Sequence, residues 1–243
     1  MISFAHEHGL KHLDMRTVGG RNLLAMRPEE VIQISRTLEK AGIAVPAFVS
    51  PLFKWMPKGV RGTVGKVDFG FDPEQCPEEE MVAHAMQIAV ILGAPHLRVF
   101  SFLRYDGFRY EDLFTEDFRK LQILSHHYDV TLQLENEPVC NIGTIGRLAE
   151  FFRWYEEARH LQSSEDEFEQ RPAGEEELYL RPLIDFANSW AAGERVPDAD
   201  LDALAPIATA IHLKDRDLQA GRHVPFGEGD VPWADELRRL LTR

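Results

Sequence analysis

The chain has 243 residues, 44% of them hydrophobic, which is enough to bury a core and predicts a single α/β domain over residues 1–243. Its 40 acidic and 27 basic side chains give a formal net charge of -13, which disfavours a nucleic-acid partner. No segment has the pattern of a signal peptide or a spanning helix, and the two cysteines, Cys76 and Cys140, form no metal-binding pair. These features predict a soluble cytoplasmic protein without membrane contacts.

The predicted elements alternate between strands and helices along the chain. Six short apolar runs are each followed by an amphipathic helical stretch, the pattern of a parallel sheet built from βα units. One predicted helix begins at Pro28 and stops before Gly42, as capping rules require. The predicted strands are residues 12–16, 44–50, 96–101, 130–135, 179–185 and 207–213, and the predicted helices are residues 2–8, 28–41, 77–92, 116–128, 144–159, 198–205 and 232–241.

This series of strands predicts an α/β fold of the TIM-type (β/α)8 barrel class, with about six parallel strands visible. The chain begins in a helix tail and stops within or just after another helix, so the first and last barrel strands are lacking. Closure normally removes exposed sheet edges. We therefore expect a fragment or an unusual open barrel, incomplete at both ends.

Two segments interrupt the alternation. Residues 51–72 are rich in glycine, proline, lysine and aromatic residues and follow a predicted strand. A surface irregularity and a substrate lid are equally good interpretations of this segment. Residues 162–177 are acidic and poor in apolar side chains, which predicts a solvated insertion without chemistry.

Three predicted strands end in ionisable residues. LQLENEP carries Glu135, LIDFAN carries Asp185, and AIHLKDRD carries His212. The carboxyl ends of parallel barrel strands converge on one face, so these three side chains should meet. Taken singly, Asp185 could cap the following turn, and a strand histidine is more often a core residue. Together, two carboxylates and an imidazole suit Mn²⁺, Mg²⁺, Co²⁺ or Zn²⁺ with open positions for substrate oxygens.

The motifs LENEP, IDFAN, HLKD and GEGDVPW, in this order, resemble those of the sugar phosphate isomerase/epimerase family of xylose-isomerase-like TIM barrels. The resemblance covers essentially the whole chain. It implies that Glu135, Asp185 and His212 bind the metal and that Glu135 is also an acid/base catalyst. It further implies a fourth ligand, a last-strand glutamate that this sequence does not contain. The implied reaction is proton transfer through a cis-enediolate of a sugar or sugar phosphate.

Two residues next to the predicted ligands are candidates for substrate binding. Asn188 lies three residues after Asp185, and Lys214 lies two residues after His212. Both would be hydrogen-bond or charge partners for substrate oxygens. Lys214 could instead form only a local ion pair with Asp215.

Four residues elsewhere in the sequence could also contact a substrate. Arg98 or Arg16 would bind a distal hydroxyl or phosphate, although a structural salt bridge is the commoner role of such an arginine. Trp55 could cover a sugar ring by stacking, and packing beneath its loop is an equally good interpretation. His223 lies before GEGD and could reach the site, although an exposed loop position is the commoner one.

The sequence leaves other functions open. A dehydratase acting on a keto-inositol type of substrate would use the same enolisation step. An endonuclease of the endonuclease IV type would need a trinuclear zinc site, and the acidic net charge opposes it. A catalytically degenerate barrel that binds a sugar or a partner protein is the non-enzymatic alternative, because the final glutamate is absent. A homodimer is also left open.

Replacing Glu135 with glutamine should lower metal occupancy, because the substitution removes one anionic ligand from the predicted set. Calorimetric titration with Mn²⁺ measures this directly. Unchanged Mn²⁺ affinity in the variant would count against the assignment.

Overall fold

The computed structural model describes residues 1–62, 71, 78–165 and 179–243. The chain divides into two compact units, Met1–Gln133 and Leu134–Arg243. In each unit parallel strands alternate with helices, as expected for a TIM-type α/β chain. Among the helices of the described ranges, none combines the length and the apolar character needed to cross a bilayer. The single domain over residues 1–243 stays a prediction.

The first unit holds the beginning of the main parallel sheet. Strands β3, β4 and the start of β5 follow one another in the sheet in chain order, and β3 pairs in parallel with β4. Helix α2 begins with a proline, and the Glu30 carboxylate accepts a hydrogen bond from the Arg27 N–H, which closes its first turn. The elements are α1 (Ile2–Glu7), β1 (Thr17–Val18), β2 (Arg21–Asn22), α2 (Pro28–Lys40), β3 (Ala47–Phe48), α3 (Glu78–Leu92), β4 (His96–Val99), α4 (Glu116–Tyr128) and β5 (Thr131–Glu135).

Two sequence predictions for this unit need correction. The strand predicted over residues 12–16 consists only of two single parallel bridges, His12 to Ala44 and Met15 to Phe48, because the chain turns soon afterwards into the β1–β2 hairpin. The segment predicted as a loop over residues 51–72 is not a surface irregularity at its start, since residues 51–55 are buried. Residues 63–70 and 72 lie outside the described residues, so the lid interpretation stays a prediction.

The second unit holds the end of β5 and two further parallel strands in chain order, β6 and β7. Its helix α5 continues to Glu165, so the insertion predicted from residue 162 begins as helix, and residues 166–177 lie outside the described residues. Helix α6 and the β8–β9 hairpin were not predicted. The elements are α5 (Ile145–Glu165), β6 (Leu180–Asp185), α6 (Phe186–Ala191), α7 (Asp198–Leu204), β7 (Ala210–His212), β8 (Asp215–Asp217), β9 (Arg222–Val224) and α8 (Trp233–Leu241).

The carboxylate of Asp215 organises the chain that follows β7. This buried side chain accepts hydrogen bonds from the backbone N–H groups of four residues, Arg216, Gly227, Gly229 and Val231, at 2.9 to 3.3 Å. Burial raises the pKa of Asp215, but the backbone hydrogen bonds more than offset this, so the pKa lies below its ordinary value. The HLKD and GEGDVPW motifs are therefore two parts of one hydrogen-bonded loop.

Replacing Gly229 with alanine should destabilise this loop. A Cβ at this position would collide with the Asp215 carboxylate and lie 2.6 Å from the Arg216 carbonyl oxygen, so the backbone would have to shift. We expect a loss of roughly 1–3 kcal/mol in the free energy of unfolding, measured by urea denaturation. Glu228→Ala, at the exposed neighbouring position, is the control and should change stability by less than about 0.5 kcal/mol. Equal stability of both variants would contradict the close packing described for Gly229.

Candidate metal centre

Three side chains from three consecutive strands of the sheet converge in the second unit. Glu135 is the last residue of β5, Asp185 the last of β6 and His212 the last of β7. Asp185 and His212 are register partners, so their side chains leave the sheet side by side. His212 Nδ1 lies 3.0 Å from Glu135 Oε1 and 4.0 Å from Asp185 Oδ2. One donor atom from each residue lies within 4.8 Å of the other two.

The backbone of Asp185 is held by a side-chain amide. Asn136 Nδ2 donates to the Asp185 carbonyl oxygen at 2.9 Å, and Asn136 Oδ1 accepts from the Asp185 N–H at 2.8 Å. Asn188 Nδ2 in turn donates to the Asn136 carbonyl oxygen at 2.7 Å. All three residues are buried, so these bonds are protected from water and fix the relative positions of the β5 and β6 ends.

The two oxygens of the Asp185 carboxylate have different partners. Oδ1 accepts a hydrogen bond from the Asn188 N–H at 2.8 Å and caps helix α6. Oδ2 lies 2.8 Å from the ammonium of Lys214 in an ion pair. The capping role and the metal-binding role considered from the sequence are therefore compatible, because each needs a different oxygen.

The electrostatics of this cluster fit a bound cation. The side chains of Glu135 and Asp185 are 3% and 0% exposed, and two buried carboxylates this close require positive charge beside them. Burial raises the pKa of Asp185 to about 6, the Lys214 ammonium opposes this rise, and the Glu135 carboxylate adds to it. Two carboxylates and one imidazole form a donor set that suits a divalent metal ion.

Several residues predicted around the ligands lie in the same unit. Lys214 pairs with Asp185, so the local ion pair that was considered between Lys214 and Asp215 is wrong. The reason is that four backbone N–H groups already surround the Asp215 carboxylate. The buried side chain of Asn188 donates to backbone, and its contact with substrate stays a prediction.

His223 occupies an exposed position on β9, opposite Arg216 in the β8–β9 hairpin. Partial burial lowers the pKa of its imidazole, and the charges of Arg216 and Lys214 lower it further, while the Glu137 carboxylate acts in the opposite direction. The predicted role of His223 in substrate binding stays a prediction.

Three other predicted residues belong to the first unit. The Arg98 guanidinium is buried, donates to the Val49 and Ser50 carbonyl oxygens and lies 4.6 Å from the Phe100 ring centroid. Trp55 is also buried, in contact with other aromatic rings, and Arg16 is exposed. These contacts agree with packing roles for Arg98 and Trp55, and substrate contacts of all three stay predictions.

The supporting role of Asn136 was not predicted. The sequence places it directly after Glu135 in LENEP, but its pairing with the Asp185 backbone joins residues 49 positions apart. The position of Asn136 at the end of a buried strand could have indicated this role, because a buried asparagine needs several hydrogen-bond partners.

Comparisons with known proteins identify relatives of the fold. A family model described as xylose isomerase-like TIM barrel matches residues 2–243, whereas no curated protein matches the chain. The structure of the IOLI protein with a binding zinc atom is 14% identical, with a TM-score of 0.66, over 99% of this chain and 78% of that one. A D-tagatose 3-epimerase-like protein is 15% identical, with a TM-score of 0.65, over 99% and 80% of the two chains. The probable 3-DHS dehydratase AsbF from Bacillus anthracis is 15% identical, with a TM-score of 0.64, over 99% and 82%.

Stabilisation by a divalent cation should depend on pH. The pKa of Asp185 is raised from 3.8 to about 6 in the folded protein. In the metal-free protein the Asp185 carboxyl group therefore contributes fully to the free energy of unfolding below pH 3.8, and this contribution is lost as the pH rises through about 6. Cation binding needs the ionised carboxylate and so acts in the opposite direction. Melting curves with and without Mn²⁺ should show a shift in Tm near pH 8 that disappears near pH 5.

The Asp185→Asn variant is the control for this experiment. It should show no Mn²⁺-dependent shift at any pH, and its metal-free melting temperature should lose the part of the pH dependence that comes from Asp185. An equal Mn²⁺-dependent shift near pH 5 and near pH 8 in the unsubstituted protein would contradict the role given to the Asp185 carboxylate.

Proposed function

The chain belongs to the xylose isomerase-like TIM barrel family, and from this premise we propose that it is a divalent-metal-dependent isomerase or epimerase of a sugar or sugar phosphate. The observation that supports the proposal most is the convergence of Glu135, Asp185 and His212 within 4.8 Å. Family membership alone indicates a fold that serves several reactions, so the reaction type has to be argued from this cluster.

Each member of the cluster has a chemical role in the proposed reaction. Glu135, Asp185 and His212 would hold the cation, which when bound would polarise the substrate carbonyl and hydroxyl oxygens and acidify the carbon between them. Glu135 would take the proton from that carbon, because its carboxylate ends a rigid strand and is shielded from water. His212 Nδ1 lies 3.0 Å from Glu135 Oε1, and with its proton on this nitrogen the imidazole would hold the carboxylate in place in the metal-free protein.

The substrate class follows from the groups around the cluster. Lys214, with its side chain 31% exposed, and the exposed imidazole of His223 are cationic or polar donors that could bind hydroxyl or phosphate oxygens. A neutral or anionic polyol with a carbonyl group matches these donors. The similarity to the D-tagatose 3-epimerase-like protein supports a ketose as the first substrate class to test.

A dehydratase is the second candidate. The similarity to the probable 3-DHS dehydratase favours it, and the first step would be the same removal of a proton next to a carbonyl. The two reactions differ in the fate of the neighbouring hydroxyl group, which is retained in an epimerisation and lost as water in a dehydration.

Exchange of substrate hydrogen with solvent deuterium tests the proposed function. The protein, loaded with Mn²⁺, Zn²⁺, Mg²⁺ or Co²⁺, is incubated in D₂O with a panel of ketoses and their phosphates, and deuterium at carbon is followed by NMR. We expect metal-dependent incorporation next to the carbonyl for at least one compound. Loss of a hydroxyl group in the product would identify a dehydratase instead.

Matched variants show whether the cluster is responsible. Glu135→Gln should reduce exchange by about 100-fold or more, because the catalytic base is removed. Glu150→Gln, at an exposed position on α5, should leave exchange unchanged. Metal-dependent exchange that survives in the Glu135 variant would refute the role of Glu135, and absence of exchange with every metal and compound would refute the proposed activity.

A further inference from the structure

The ammonium of Lys214 contacts one carboxylate of the candidate metal site. Lys214 lies two residues after His212, the last residue of β7, and its Nζ is 2.8 Å from Asp185 Oδ2. The Asp185 side chain is fully buried, whereas the Lys214 side chain is 31% exposed. The ammonium therefore reaches from a half-buried position to a carboxylate that water does not reach.

The oxygen that Lys214 contacts is the one that Asp185 could offer to a metal ion. Oδ1 is committed to the Asn188 N–H at the start of α6. Oδ2 faces the ammonium of Lys214 and also lies 4.0 Å from His212 Nδ1. A divalent cation bound by the cluster would therefore compete with the ammonium for the same atom.

Repulsion makes joint occupancy by the two cations unfavourable. At a separation of about 4 Å, charges of the same sign interact by several kcal/mol at the effective dielectric constant of a protein. The ammonium stands on a flexible chain of methylene groups, while the donor atoms of Asp185 and Glu135 are fixed at buried strand ends. Lys214 is therefore the partner that can move.

We propose that Lys214 is the resident counter-charge of the metal-free site and that a divalent cation displaces its ammonium from Asp185. The inference rests on the proposed function in so far as both need the cluster to bind a metal. The displaced ammonium becomes available to an oxygen of the substrate. Substrate contact by Lys214 then follows metal loading, which gives the site a fixed order of binding.

Metal affinity of Lys214 variants tests the competition. Lys214→Met keeps the apolar length of the side chain and removes its charge, so Mn²⁺ should bind about tenfold more tightly by calorimetry near pH 8. Lys214→Arg retains the positive charge and should bind Mn²⁺ much as the unsubstituted protein does. Unchanged or weaker Mn²⁺ binding by folded Lys214→Met would overturn the proposal.

Chemical labelling of the unsubstituted protein tests the displacement without any variant. An ammonium paired with a buried carboxylate should react slowly with an acetylating reagent, so Mn²⁺ should increase the labelling rate of Lys214 several-fold, as measured by mass spectrometry. Lys40, exposed at the end of α2, is the internal control and should react equally with and without Mn²⁺. An unchanged or slower rate at Lys214 with Mn²⁺ bound would overturn the proposal.

These measurements can be separated from the test of the proposed function. If Mn²⁺ binds and displaces Lys214 but no compound exchanges deuterium, the inference stands and the proposed activity fails. If exchange is observed but Lys214 stays paired, the activity stands and the inference fails. If the unsubstituted protein binds no Mn²⁺, both fail.

Discussion

Two buried carboxylates, Glu135 and Asp185, lie beside one imidazole, and such an arrangement needs positive charge next to it. The Lys214 ammonium supplies one such charge at 2.8 Å from Asp185 Oδ2. It does not remove the cost of burial, since the pKa of Asp185 remains raised to about 6. A cation of higher charge would stabilise the ionised cluster further, which supports the proposal of a divalent metal ion at this site.

Rigid supports hold these donors at the ends of their strands. Asn136 pairs with both backbone groups of Asp185, Asn188 closes the link to β5, and the Asp185 side chain begins helix α6. After β7, the Asp215 carboxylate gathers four backbone N–H groups into one loop. A site whose ligands are fixed before binding loses little conformational entropy when the cation arrives. Because these donors are held in place, the flexible Lys214 side chain is the part of the site that can move when a cation binds.

The sequence predicted the alternation of strands β3 to β7 with the long helices, because apolar runs and amphipathic stretches are local patterns. It also predicted that Glu135, Asp185 and His212 would meet, since parallel strands bring their carboxyl ends to one edge. It did not predict the pairing of Lys214 with Asp185 or the support from Asn136, because those contacts depend on side-chain directions between residues that are far apart in sequence. Residues 12–16 pair in parallel with the chain next to them, but through single bridges and not as a continuous strand.

Anomalous X-ray scattering from crystals soaked in Mn²⁺ tests most directly whether the three strand ends bind one cation. A single strong peak within about 2.3 Å of donor atoms from Glu135, Asp185 and His212 is the predicted result. A fully loaded crystal with its peak elsewhere, or with no peak at these three residues, would contradict the metal centre.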